Sequence, residues 1–215
     1  MLVYERMTHD PITIGPNTPV ADALQLIREK SIHRLPVLDK KERLIGIVTE
    51  KELLYASPSP VTSLSIHEIT YLLSKLTVDE VMTRNPITVT EDTPIEDAAA
   101  LMMDHDIGAL PVMRGQQLIG IVTETDLFET FIELFSAREK GVRLTLLVPE
   151  VKGELYTITH AISEMGGNIL SLGTFQGEDP TNRLLTVKVA GVDKEALIDQ
   201  MQAAGAEVVD ARTSG

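Results

Sequence analysis

A chain of 215 residues is long enough for two compact domains, and its 43% hydrophobic and 24% charged residues are ordinary for a folded globular protein. Its 19 basic and 32 acidic residues give a formal net charge of −13, which excludes the basic excess that a nucleic-acid partner requires. The chain has no cysteine, no apolar run of the roughly 18 residues that span a bilayer and no signal-peptide pattern at its start, so we exclude disulfides, cysteine nucleophiles and a membrane partner and expect a cytoplasmic protein.

The first two-thirds of the chain contain an internal repeat. The segment 3–13, Val-Tyr-Glu-Arg-Met-Thr-His-Asp-Pro-Ile-Thr, matches 78–88, Val-Asp-Glu-Val-Met-Thr-Arg-Asn-Pro-Ile-Thr. Further on, Leu-Ile-Gly-Ile-Val-Thr-Glu stands at 44–50 and again, unchanged, at 118–124. Two segments with such similar sequences predict two copies of one supersecondary unit.

Each copy begins with a short β-type run and a helix. In both copies a Thr-Pro pair precedes the helix, which predicts Thr18 and Thr93 as N-cap residues with proline at the first helical position. Glu96 would complete a capping box with Thr93. Apolar residues then recur at i, i+3, i+4 and i+7, which indicates one helix face packed on a sheet.

Two strands and a second helix complete each copy. The strands are predicted at 34–38 and 44–48 and, in the second copy, at 109–113 and 118–122, because these runs are almost continuously apolar and rich in β-branched residues. The second helices are expected to start near Glu50 and Glu124. Between the copies, Ala-Ser-Pro-Ser-Pro at 56–60 breaks the chain, and a helix is predicted over 63–76.

The last third has a different pattern. Strands are predicted at 144–148, 168–175, 184–189 and 207–209, with helices at 153–165 and 194–204. This β-α-β-β-α-β order is the ferredoxin-like plan. The chain is therefore expected to be an α/β (α+β) protein, with a duplicated β-α-β-β-α unit followed by a ferredoxin-like domain.

The duplicated unit, with Met-Thr-x-x-Pro-Ile-Thr, Leu-Pro-Val and Gly-Ile-Val-Thr-Glu in register, resembles the CBS-domain family. The resemblance implies a first CBS motif at 1–56, a linker helix at 57–77 and a second motif at 78–137. It also implies that the two motifs pair about a pseudo-twofold axis to form two clefts, which commonly bind adenosine-containing ligands, and that the module forms a homodimer.

In that family a Thr or Ser and an Asp three residues later hold the ribose, and here Thr123 and Asp126 match them. A carboxylate can accept hydrogen bonds from both ribose hydroxyls, although Thr-x-x-Asp at a helix start is also an ordinary N-cap device. By the same resemblance, the backbone at four further positions would line the adenine pocket of this cleft. They are Ile87, Thr88, Ala109 and Leu110.

The first cleft departs from the family pattern. Thr49 is present, but Glu52 stands where Asp is expected, and its extra methylene moves the carboxylate about 1.5 Å outward. This copy also has His33 and Arg34 where the second has Gly and Ala. Arg34 can hold a phosphate bidentately or can be an ordinary surface partner. We expect unequal clefts, with the Asp126 cleft binding nucleotide better and His33 and Arg34 assisting with phosphates.

The C-terminal third, residues 143–213, resembles the ACT-domain family. Gly153, after the first strand, and Asn168, at the start of the second, correspond to family positions that contact amino acids at dimer interfaces. A dimerisation domain with an empty site is the alternative. A CBS pair followed by an ACT-like domain resembles the arrangement of acetoin-utilisation regulators, which implies a regulator acting on a partner enzyme.

No catalytic fingerprint is evident in the sequence: it has no P-loop, no Rossmann glycine pattern, no Gly-x-Ser-x-Gly and no histidine pair at metal spacing. We therefore expect a sensor and not an enzyme, with no required cofactor and no metal. Its regulatory ligand would be AMP, ADP, ATP or another adenosine compound. A dimeric interaction scaffold that binds no ligand is the alternative.

Overall fold

Residues 1–56 and 75–214 are described by the computed structural model, and the chain divides into two units, Met1–Leu127 and Phe128–Gly215. The helix predicted at 63–76, and most of the predicted linker 57–77, lie outside the described residues. Within the described part, no helix is long and apolar enough to cross a membrane.

Both copies of the repeat contain the predicted strand, helix, strand, strand and helix, and the second copy also has a short helix and a further two-residue strand before them, which were not predicted. After a 3-10 turn, Val3–Glu5, the first copy contains β1 Thr8–His9, α1 Val20–Lys30, β2 Arg34–Leu38, β3 Leu44–Thr49 and α2 Glu50–Tyr55. The second contains α3 Val78–Val81, β4 Thr83–Arg84, β5 Val89–Thr90, α4 Ile95–His105, β6 Ala109–Arg114, β7 Gln117–Thr123 and α5 Glu124–Leu134. The predicted helix starts at Glu50 and Glu124 are confirmed.

The starts of α1 and α4 differ from the prediction. Pro19 and Pro94 are the N-cap residues, and neither helix has a side-chain cap bond, so the N-cap role predicted for the threonine before each proline is wrong. The predicted capping box of Thr93 and Glu96 is wrong as well. The Thr93 hydroxyl oxygen instead accepts a hydrogen bond of 3.2 Å from the backbone N–H of Thr90, so it stabilises the turn before the helix.

Each of the two small sheets of the first unit contains a strand from the other copy. Strand β1 pairs with β7 of the second copy, and β4 pairs with β3 of the first. The resulting strand orders are β1-β7-β6-β5 and β2-β3-β4. The N-terminal segment of each copy therefore lies beside the strand-to-helix turn of the opposite copy.

The second unit has the predicted ferredoxin-like fold. It contains β8 Gly141–Pro149, α6 Glu154–Glu164, β9 Asn168–Gln176, β10 Asn182–Ala190, α7 Lys194–Ala203 and β11 Glu207–Ser214. The sheet is antiparallel with the order β11-β8-β10-β9. Alternate residues of β8 are buried, because one face of the sheet packs on the two helices while the other does not.

Within the second unit, residues 135 and 136, which follow α5, are held on this sheet by three polar contacts. The Ser136 hydroxyl donates to the Leu170 carbonyl at 3.1 Å, and the Ser171 hydroxyl donates to the Phe135 carbonyl at 3.2 Å. Lys188, which is 3% exposed, donates from Nζ to the Ser136 carbonyl at 2.9 Å. A cation at a helix C-terminus is stabilised by the helix dipole, which offsets part of the cost of burying the lysine.

Candidate functional site

The first candidate turn joins β3 to α2. The backbone N–H and the hydroxyl of Thr49 donate to Glu52 Oε2 at 2.7 Å and 2.8 Å, and the N–H of Glu52 donates back to the Thr49 hydroxyl at 3.2 Å. This reciprocal pattern is a capping box. The second carboxylate oxygen, Glu52 Oε1, accepts the Thr83 hydroxyl at 2.8 Å, so a residue of the other copy also binds this acid.

The second candidate turn, between β7 and α5, has the same local geometry. The N–H and the hydroxyl of Thr123 donate to Asp126 Oδ2 at 2.7 Å and 2.8 Å, and the N–H of Asp126 approaches the Thr123 hydroxyl at 3.4 Å. The N-cap alternative that the sequence left open for Asp126 is therefore present, and the Glu52 turn has the same arrangement. Each acid is bound within its own turn, and any ligand must share the carboxylate with the helix cap.

The Glu52 turn borders a cleft of about 540 Å³, which is within the usual size range of small-molecule sites. Its walls come from both copies because β4 pairs with β3. Isoleucine side chains provide apolar surface, while threonine, arginine and carboxylate groups provide donors and acceptors. Lining residues on which the function depends are Arg34, Thr49, Glu52, Thr83, Ile87 and Ala109.

The sequence assigned Ile87 and Ala109 to the cleft of Asp126, but both line the Glu52 cleft. Ala109 is also the cross-strand neighbour of Thr123. Leu110 is fully buried in the core of the second copy, so its side chain is not presented to a cleft. Thr88 lines a separate groove of about 720 Å³.

The two cationic candidates of the first copy point to different acids. His33 Nδ1 lies 3.1 Å from Glu50 Oε2 at the start of α2, and the His33 side chain is 77% exposed. A guanidinium nitrogen of Arg34 lies 3.7 Å from Glu124 Oε2 at the start of α5. Arg34 thus borders the Glu52 cleft while contacting the second copy. Sequence reasoning did not identify Thr83 or Glu124, because their contacts arise only from the pairing of the two copies.

The two candidate residues of the ACT-like unit, Gly153 and Asn168, lie far apart. Gly153, with a φ of 92°, is the N-cap residue of α6 and lines a groove of about 300 Å³. Arg183 lines the same groove and donates from its Nε to the Glu150 carboxylate. Asn168 pairs with Ala190 at the opposite end of β9, eight residues from the Gln176 end, or roughly 26 Å at ~3.3 Å per residue.

Comparison with known proteins supports both parts of the fold. A CBS-domain family model matches residues 3–59 and 78–133, and a TTHA0829-like ACT domain model matches 140–212. A CBS domain-containing protein of Dictyostelium discoideum is 35% identical over 135 residues, which cover 62% of this chain and 93% of that protein. The inosine-5'-monophosphate dehydrogenase of Nitrosopumilus maritimus is 27% identical over 94% of this chain, but only 40% of that enzyme is covered.

Solved structures of CBS pairs are similar to the first part of the chain. The CBS domain pair of protein MJ0100, in complex with 5'-methylthioadenosine and S-adenosyl-L-methionine, has a TM-score of 0.51 at 30% identity, covering 61% of this chain and 95% of that chain. Arabidopsis thaliana CBSX2 in complex with AMP has a TM-score of 0.51 at 32% identity, covering 61% and 96%. A Vibrio cholerae protein assigned to acetoin utilization (AcuB) has a TM-score of 0.53 at 28% identity, covering 64% and 95%.

Proposed function

Because this chain belongs to the CBS-domain family, we propose that it is a regulatory sensor that binds adenosine-containing ligands in the clefts of its CBS pair and controls a partner protein. The observation that carries the proposal is the pair of threonine–carboxylate turns, Thr49–Glu52 and Thr123–Asp126. Carboxylate oxygens can accept the ribose hydroxyls, and the apolar wall of the Glu52 cleft suits an adenine ring. Two related CBS proteins bind AMP, or S-adenosyl-L-methionine and 5'-methylthioadenosine, which supports the ligand class.

The ribose is proposed to bind more tightly at the Asp126 turn than at the Glu52 turn. The extra methylene of glutamate moves the Glu52 carboxylate about 1.5 Å outward, and the ribose would have to replace the hydrogen bond from Thr83. A dimeric interaction scaffold without a ligand is the second candidate. The closed capping boxes favour it, because both acids already have a structural role.

The test is isothermal titration of the full chain with adenosine, AMP, ADP, ATP and S-adenosylmethionine, repeated on Asp126→Ala and Glu52→Ala. Each substitution removes a helix cap as well as a ribose acceptor. Glu80→Ala is the matched control, since Thr77 and Glu80 form the same capping box at the start of α3. We expect Asp126→Ala to weaken binding at least tenfold, Glu52→Ala to weaken it less and Glu80→Ala to leave it unchanged.

A thermal-shift series on the same proteins provides the second measurement. A ligand at ~100 times its dissociation constant should add ~2.7 kcal/mol to the stability of the folded state. If no adenosine compound stabilises the wild-type chain or releases heat, the sensor is wrong and the scaffold is favoured.

The ACT-like unit is proposed to bind an amino acid in the Gly153 groove. The Arg183 guanidinium can take an α-carboxylate and the Glu150 carboxylate an α-ammonium group, because these side chains already lie together at the groove. Titration with the common amino acids should detect binding that Arg183→Gln abolishes. Arg212→Gln, which removes a comparable exposed ion pair with Asp210, should have no effect.

The assembly and the partner are also proposals. We propose a homodimer, to be tested by sedimentation equilibrium, and a partner enzyme whose affinity changes with nucleotide. Acetoin utilization is proposed as the pathway on the likeness to the Vibrio cholerae protein alone. Capture of a purified pathway enzyme by the immobilised chain, with and without AMP, would test both.

A further inference from the structure

The side chain of Arg34, in the first copy, forms an ion pair with Glu124 of the second copy. Its guanidinium nitrogen and Glu124 Oε2 are 3.7 Å apart, and the two side chains are 25% and 55% exposed. This distance is longer than a hydrogen bond. Among the residues that the structure describes, the guanidinium of Arg34 makes no hydrogen bond, so its donors are paired with Glu124 by charge alone.

Gly108 allows this contact to form. A Cβ atom at Gly108 would lie 2.2 Å from a guanidinium nitrogen of Arg34 and 2.6 Å from Glu124 Oε2, so any side chain there would displace both groups. The equivalent position in the first copy is His33, which pairs with Glu50 of its own copy. The first acid of each second helix is therefore paired differently, and only Glu124 holds a residue that lines the Glu52 cleft.

An exposed ion pair with this geometry contributes little to stability, whereas an arginine and a phosphate form short, charge-assisted and often bidentate hydrogen bonds. A phosphate entering the cleft would therefore replace Glu124 as the partner of Arg34, and it would also be repelled by the Glu124 carboxylate. A neutral nucleoside has no such competition. Glu52 lines the cleft and Glu124 contacts it through Arg34, so the two acids have different roles, with Glu52 near the ribose and Glu124 opposing the phosphate.

We propose that the Arg34–Glu124 ion pair acts as a charge gate, by which we mean that it disfavours phosphate-bearing ligands in the Glu52 cleft. Arg34 can bind the phosphate of an adenine nucleotide in this cleft only when it releases Glu124. This inference rests on the proposed nucleotide binding and specifies how one cleft distinguishes nucleotides from nucleosides. Glu124 lowers the affinity for phosphate-bearing ligands and leaves the affinity for nucleosides unchanged. Arg34 raises the affinity for phosphate-bearing ligands alone.

The test is a titration of the full chain with AMP and with adenosine, using Glu124→Gln, Arg34→Gln and the double variant. Glu124→Gln is expected to strengthen AMP binding about two- to fivefold and to change adenosine binding by less than about 1.5-fold, since an exposed charge is worth about a factor of five or less. Arg34→Gln is expected to weaken AMP binding about tenfold. In the Arg34→Gln background, Glu124→Gln should give no gain.

Glu50→Gln is the matched control, because Glu50 holds the equivalent position and pairs with His33. It should leave the ratio of AMP to adenosine affinity unchanged, and Glu52→Ala should weaken the binding event that Glu124→Gln strengthens. An unchanged ratio in Glu124→Gln, with AMP still bound, overturns the gate and keeps the sensor. If neither ligand binds the wild-type chain or Glu124→Gln, the sensor itself fails and the gate fails with it.

Discussion

The two copies of the CBS motif carry the same seven residues, Leu-Ile-Gly-Ile-Val-Thr-Glu, yet the turns that follow have different surroundings. Both turns close a capping box through Thr49–Glu52 or Thr123–Asp126. Glu52 also receives the Thr83 hydroxyl from the opposite copy and shares its cleft with Arg34. The position equivalent to Arg34 is Ala109, which brings no charge.

The comparison shows that the repeated segment determines the local turn, while the differences between the two clefts arise from residues outside that segment. Glu52 and Asp126 come just after it, and Arg34 comes just before the Leu-Pro-Val strand. A ligand-binding asymmetry can therefore develop without disturbing the strands. The following substitutions compare equivalent positions, or equivalent loops, of the two copies.

The largest expected difference is between Leu53→Ala and Leu127→Ala. Leu53 in α2 is fully buried in the first core, whereas Leu127 in α5 is only partly buried against the second. Removing a fully buried leucine leaves a cavity, so we expect Leu53→Ala to lower the free energy of unfolding by about 3 kcal/mol and Leu127→Ala by about 1 kcal/mol. Urea unfolding followed by circular dichroism measures both. Equal losses would show that the two helices pack equivalently.

The repeated glycines should differ by a smaller amount. A Cβ atom at Gly46 would lie 2.4 Å from Met82 Sδ and 3.0 Å from the Thr83 carbonyl oxygen, while at Gly120 its three nearest atoms belong to the Met7 side chain. A methionine side chain can shift more easily than a backbone carbonyl. We therefore expect Gly46→Ala to cost about 2 kcal/mol and Gly120→Ala about 1 kcal/mol, measured by the same unfolding series. A larger loss at Gly120 would contradict this account.

Much of the fold could be predicted because its signals are local or repeated. The order of elements, the starts of the second helices and the ferredoxin-like unit follow from periodicity, β-branched runs and the internal repeat. The exchange of β1 and β4 between the copies could not be predicted, because a strand of two residues has no alternating pattern to detect. This exchange brings Ile87 of the second copy to the Glu52 cleft of the first.

The sequence predicted many of the residues of the candidate site, but it did not predict which of them lie together in one cleft. The threonine and the acid of each turn are adjacent in sequence, so their mutual contact follows from the helix start. The contacts of Arg34 with Glu124 and of Thr83 with Glu52 join positions from different copies, which a single sequence does not relate. The separation of Gly153 from Asn168 depends on the length of β9 and required the structure.

A smaller effect is expected at the threonines of the exchanged strands. Thr83 donates its hydroxyl to Glu52 Oε1 at 2.8 Å, and Thr8 is the equivalent residue in β1. Thr8 has no hydrogen bond from its hydroxyl among the described contacts. Thr83→Ala should lower the unfolding free energy by about 0.5–1 kcal/mol, because Glu52 Oε1 loses an exposed hydrogen bond from the Thr83 hydroxyl. Thr8→Ala should lower the unfolding free energy by less. Thermal unfolding near neutral pH measures the pair, and equal effects would remove this distinction between the clefts.

The smallest effect concerns the loops that join the paired strands. In the first copy Asp39 accepts the backbone N–H groups of Lys41 and Arg43 and two bonds from the Arg43 guanidinium. Hydrogen bonds from the Arg43 side chain, with those of the backbone, lower the pKa of Asp39 from 3.8 to about 2. The shorter loop of the second copy instead turns at Gly115, which has a φ of 62°.

Because the folded-state pKa is the lower one, the Asp39 carboxylate stabilises the fold above pH 3.8, and this contribution is lost as the pH falls toward about 2. The melting temperature of Asp39→Asn should therefore lie below that of the wild type at pH 5, with the gap closing between pH ~4 and ~2. Lys41→Gln removes a charge from the same loop but leaves the backbone hydrogen bond to Asp39. The difference in melting temperature between Lys41→Gln and the wild type should therefore not close between pH ~4 and ~2. A gap for Asp39→Asn that stays constant down to pH ~2 would mean that the carboxylate bonds do not hold this loop, and the two loops would then differ only in length.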